Sequence, residues 1–166
     1  MAVDTQKDSL TMNVESRIRE LVQAYLSENR DVKGVEFIDQ LLLVVSDVSE
    51  IQCALRDERH LRFQISDQPA WDVELDRAKA KLRMLCARLG VLCNESGHQD
   101  VSLYGGEGII KKEAPVSSTN EPGHLPQSGC PSSTGTSLAP PPILHQWGVR
   151  FKNTPDAQEF TIVAAR

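Results

Sequence analysis

Along the first 93 positions apolar residues recur mostly at steps of three and four, while shorter stretches further on alternate apolar and polar residues at a step of two. The clearest helical pattern is Leu75, Ala78, Leu82, Leu85, Leu89 and Leu92. This spacing puts all six on one stripe of a helix, and a stripe of that kind has to be buried, either in the chain's own core or against a partner. The helix that carries it is expected to begin at a cap on Ser66 or Asp67, with Pro69 in its first turn, where a missing N–H costs little, and to stop near Cys93-Asn94, its charged and apolar faces being read over 72–93.

Two further helices are predicted upstream. The first runs from Val14 to about Arg30, with Val14, Ile18, Leu21, Val22, Tyr25 and Leu26 on one side, Asn13 as N-cap and Glu15 to Arg19 as an i,i+4 ion pair. The second, from Val35 to about Arg56, spaces Ile38, Leu41, Leu42, Val45, Val48, Ile51 and Leu55 mostly by three and four. Its β-branched residues leave a strand over Leu41–Val45 as the competing reading. Every charge from Gly34 to Leu55 is acidic, whereas helix 72–93 is net basic, so the two are expected to lie side by side.

Leu61, Phe63 and Ile65 alternate with polar residues, the signature of a half-buried strand. Val101–Tyr104 and Ile109–Lys111 flank Gly105-Gly106-Glu107-Gly108, which predicts a hairpin with the glycines in its turn. From Ala114 to Pro142 the composition changes: of 29 residues, seven are Pro, nine are Ser or Thr and three are Gly. Such a mixture cannot bury enough apolar surface to offset its chain entropy and reads as a disordered linker. Trp147, Val149 and Phe151, then Phe160, Ile162 and Ala164, alternate on either side of Asn153-Thr154-Pro155-Asp156, which predicts a C-terminal hairpin.

The fold class expected from these elements is α+β. A three-helix N-terminal body with short strands and hairpins would be followed by a long Pro/Ser/Thr-rich insertion and a C-terminal β-hairpin. The corresponding divisions are a flexible N-terminus over 1–12, a mainly helical body over 13–112, a disordered linker over 113–145, and a hairpin over 146–166 docked on the body.

Composition narrows the function classes without naming one. The 166 residues are 40 % hydrophobic and 25 % charged with a net charge of −5, the profile of a soluble globular chain. An acidic balance argues against nucleic acid as the main partner, since phosphate binding rests on clustered Lys and Arg. The longest apolar run, Leu41–Val45, is too short to span a bilayer, and Met1–Met12 has no apolar segment of the kind found in secretory leaders. Cys53, Cys86, Cys93 and Cys130 form no C-x-x-C pair, and the first three sit in apolar-patterned segments as small hydrophobes. A cytoplasmic location is expected.

Candidate chemistry is sparse. Tyr104-Gly105-Gly106-Glu107-Gly108 resembles the active-site turn of GGDEF-type nucleotide cyclases in its glycines, but it carries one acid only, and the Asp-x-Asp-x-Phe-Lys metal segment of that family is absent. A polar site could be assembled from Glu95, His98, Asp100 and Glu107. His60 follows Asp57-Glu58-Arg59 at what reads as a helix end, where a capping role is favoured. No nucleophile elbow, phosphate loop, His-Glu-x-x-His or dinucleotide fingerprint occurs, so no catalytic, cofactor or metal residue is assigned. The reading is therefore a non-enzymatic interaction or structural protein with a protein partner or a homodimer. One alternative is a small enzyme or ligand-binding protein using the loop 95–107. Another is a nucleic-acid-associated regulator using Arg77, Lys81 and Arg88 on helix 72–93.

Overall fold

A computed structural model describes residues 5–27, 33–97, 100–113 and 144–165. Helix α1 (Thr5–Leu21) runs on into a π-helical turn, Val22–Leu26. Helix α2 spans Lys33–Asp47, and the strands β1 (Glu50–Asp57), β2 (His60–Ile65) and β3 (Trp71–Glu74) follow it as a meander. After α3 (Ala78–Gly97) a second meander is formed by β4 (Gly105–Glu113), β5 (Leu144–Asn153) and β6 (Gln158–Ala164). The six strands make one sheet in the order β3-β2-β1-β6-β5-β4, with all neighbours antiparallel.

The first and last strands meet at its centre, Cys53 of β1 opposite Phe160 of β6 and Ile51 opposite Ile162. Helix α3 connects the two edge strands and packs against β2, β1, β6, β5 and β4 on the way. Its 20 residues span about 30 Å, and the edge strands of a six-stranded sheet lie about 24 Å apart, so one helix suffices to cross the sheet.

The core lies between this helix layer and one face of the sheet. Ile51, Cys53, Leu61, Phe63, Ile65, Ile110, Trp147, Val149, Phe151, Phe160 and Ile162 are buried from the strands, and Leu82, Leu85, Cys86, Leu89 and Cys93 from α3. Helix α2 adds Phe37, Ile38, Leu41, Leu42, Val44 and Val45, and its Ser46 hydroxyl accepts from the Trp147 indole N–H at 3.3 Å. Helix α1 packs outside, on α2, through Val14, Ile18, Val22 and Leu26. In an α-helix a step of four overshoots one turn by about 40°. The wider π-turn, closed by Ser27 N–H donating to the Val22 carbonyl at 3.1 Å, advances less per residue and keeps Val22 and Leu26 on the buried side.

Several sequence expectations are corrected by this architecture. The three-helix body with short hairpins is replaced by a continuous six-stranded antiparallel sheet covered by helices, and neither a helical bundle nor a coiled coil is present among the described residues. Helix 35–56 ends at Asp47. Beyond Ser49 the chain alternates instead, with Ile51 and Cys53 buried and Gln52 exposed, and pairs on both sides as β1, while Leu41–Val45 is helical. Val48, Ile51 and Leu55 satisfy a helical spacing as well as part of an extended one, and the ladder to β2 and β6 decides between them.

Asn13 caps nothing, because the helix starts at Thr5; the Glu15–Arg19 pair forms at 2.8 Å. The expected third helix loses its first turn to β3, whose Asp72 and Val73 pair with Arg62 and Leu61. Arg77 then adopts a left-handed φ of 57°, so the helix begins only at Ala78. The glycine run is strand and not turn: Gly105, Gly106 and Gly108 pair with Lys152, Phe151 and Val149. A Cβ on Gly106 would come within 2.9 Å of the Val101 Cγ1, so glycine there serves close packing.

Glu113 and Leu144 are register partners at the open end of the β4–β5 hairpin, so the intervening 114–143, which lies outside the described residues, starts and finishes at adjacent points. Replacing 114–143 by a short Asn-Gly turn is expected to preserve the fold and raise stability by about 2 kcal/mol or less through the shorter loop. Urea unfolding checks this, and loss of the cooperative transition would contradict the hairpin register.

Candidate functional site

Helices cover one face of the sheet, and the strand residues of opposite parity form the other. Three cross-strand rows define that open face. Across β1, β6, β5 and β4 they read Ala54, Glu159, Lys152, Gly105; then Gln52, Thr161, Arg150, Glu107; then Glu50, Val163, Gly148, Ile109. The strand aromatics Phe63, Trp71, Trp147, Phe151 and Phe160 belong to the covered parity, two of them, Phe63 and Trp71, stacked with ring centroids 6.0 Å apart.

The second and third rows border a shallow hollow of about 590 Å³, lined by Glu50, Glu107, Ile109, Gly148, Arg150, Thr161 and Val163. A second hollow of about 350 Å³ continues it over Gly105, Lys152 and Glu159. Arg150 Nε donates to Glu107 Oε1 at 2.6 Å, both side chains being largely exposed, and Gln52 Nε2 donates to Glu50 Oε1 at 2.5 Å. Exposed pairs of this kind contribute at most about 1 kcal/mol and serve mainly to orient charge.

The polar site expected from Glu95, His98, Asp100 and Glu107 is not assembled. Glu95 lies in the last turn of α3, 4.0 Å from Arg88 of the same helix, and Asp100 is exposed on the following loop. Glu107 faces the open side of the sheet, opposite the helix layer, and His98 lies outside the described residues. Among the described residues no group of three His, Cys, Asp or Glu could hold a metal ion.

The stripe Leu75, Ala78, Leu82, Leu85, Leu89, Leu92 is buried throughout. Leu75 precedes α3, its N–H donating to the Arg59 carbonyl at 2.7 Å, and the other five are on the helix. The basic face breaks up: Arg77 sits before the helix, Lys81 donates to the Leu26 carbonyl at the end of the π-turn, and Arg88 is half-buried near Glu95. Burial, ahead of any charge effect, holds the Lys81 ammonium below its usual pKa. Two of the three acidic residues of α2 pair with other elements than α3, Asp47 with Arg17 of α1 at 2.7 Å and Asp39 with Lys112 of β4 at 2.5 Å.

His60 is not at a helix end but opens β2, its Nδ1 2.8 Å from Asp57 Oδ1 across the β1–β2 turn. Asp57 also accepts from the Arg59 N–H at 2.9 Å, and that bond, followed by the one to His60, holds its carboxyl below 3.8. Cys53, Cys86 and Cys93 are free, buried thiols; burial pushes Cys86 up to about 12, Cys93 up to about 11 and Cys53 well above the usual value. A reactive cysteine needs the opposite environment, electropositive and accessible. Cys130 and His124 lie outside the described residues.

The open face is what sequence reasoning missed. The signal was in the polar half of the alternation that marked the C-terminal strands: Gly148 and Arg150, then Thr161 and Val163, occupy the positions between the buried ones.

Because the folded Asp57 carboxyl titrates below its unfolded value near 3.8, its contribution to the β1–β2 turn is complete above that pH and is lost as pH falls through the depressed folded value. Carboxyl-detected NMR titration is expected to place Asp57 below 3.8, and His60→Ala to raise it only part of the way, since the Arg59 N–H remains. For the thiols, a Cys130→Ser chain at about pH 8 is expected to react with Ellman's reagent only after denaturant is added. Rapid labelling of Cys53, Cys86 or Cys93 in the native chain would contradict their burial. No protein family matches this chain, and no curated protein matches it in sequence.

Proposed function

We propose that this chain is a non-enzymatic protein-interaction module that works through the open face of its sheet. The observation that carries the reading is a broad, regular surface, uncovered by any described helix, whose exposed apolar positions Ile109 and Val163 border a hollow, in a molecule where no three described His, Cys, Asp or Glu residues come together to hold a metal ion. A sheet face with one uncovered side is a rigid scaffold, and a mixed polar and apolar surface of this kind resembles non-obligate protein interfaces.

The partner class is protein. Single-stranded nucleic acid is bound by aromatic stacking on a basic track, and here the strand aromatics are on the covered side while the open face alternates acids and bases. No helix among the described residues is long and apolar enough to cross a membrane. Three unpaired thiols in the core are consistent with a reducing compartment, and we place the protein in the cytoplasm on that ground.

The reading is tested by immobilising the full chain and its Val163→Glu variant and comparing quantitatively the proteins retained, added untagged chain included. A specific protein retained by the wild type is expected to fall by roughly tenfold or more on the variant, a loss that a buried charge at an interface readily produces. Retention indifferent to Val163→Glu would overturn it. So would a metal, nucleotide or small-molecule ligand that raises Tm and whose effect Glu95→Ala or Glu107→Ala abolishes, since that outcome belongs to a small enzyme or a ligand-binding protein.

A further inference from the structure

We draw no further inference here: the strongest candidate, the hollow on the open face of the sheet where Gly148 of β5 lies between Ile109 of β4 and Val163 of β6, belongs to the site already described, and nothing in the structure shows what covers it.

Discussion

One helix has to reach from one edge of the sheet to the other, and the rest of the molecule is arranged around that requirement. With β1 and β6 paired at the centre, each meander grows outward and leaves β3 and β4, which are consecutive in the chain, at opposite edges. Helix α3 is long enough to bridge them, and in doing so it packs against five of the six strands. Its leucines and its two cysteines therefore fill the core along the whole width of the sheet, which is why the apolar spacing there is the most regular in the sequence. Leu75, placed just before the helix, continues the same row into the turn that delivers it. Truncating a leucine in this row would remove contacts to the sheet and leave a cavity, at a cost of about 2–5 kcal/mol.

Because α3 occupies one face, the second layer of helix has to stack behind it. Helix α2 packs on α3 and reaches the sheet at β6, and α1 packs on α2, its π-turn tied to α3 through Lys81 and the Leu26 carbonyl. All of the described helix thus lies on the same side. The opposite face of the sheet is left with polar side chains, small side chains and a glycine, and it acquires its character from what the helices do not cover. Antiparallel sheets tolerate this arrangement because alternation can put a soluble surface on one side of every strand.

How much of this was legible in the sequence depends on which competition each segment had to settle. Strands β2, β5 and β6 were readable because Leu61–Ile65, Trp147–Phe151 and Phe160–Ala164 alternate cleanly and carry β-branched or aromatic residues. The core of α3 was readable for the complementary reason. Strand β1 was not, since Val48, Ile51 and Leu55 also fit a helix that would simply have continued α2, and only pairing with β2 and β6 excludes it. The glycine run at 105–108 suggests a turn by its backbone freedom, whereas packing on Val101 and pairing with β5 are what it serves. Glu95 and Glu107 look like neighbours in the chain and end on opposite sides of the sheet. Proximity in sequence carries no information about which face a strand residue takes unless the register is known.

Edges and face divide the risk and the opportunity of such a sheet between them. An unpaired edge invites further strands, and both edges here are poor templates. Strand β3 is four residues long, follows Pro69 and carries Asp72 and Glu74, and Asp72 is already engaged by Arg56 and Arg62. Strand β4 is longer but carries Glu107, Lys111, Lys112 and Glu113, with Lys112 held by Asp39. Charges at these positions oppose open-ended growth of the sheet in its own plane, where each added copy would expose a new edge. Charge on β3 and β4 therefore keeps the sheet finite in its own plane, and the exposed apolar positions Ile109 and Val163 belong to its face and not to the hydrogen-bonding direction of its edges.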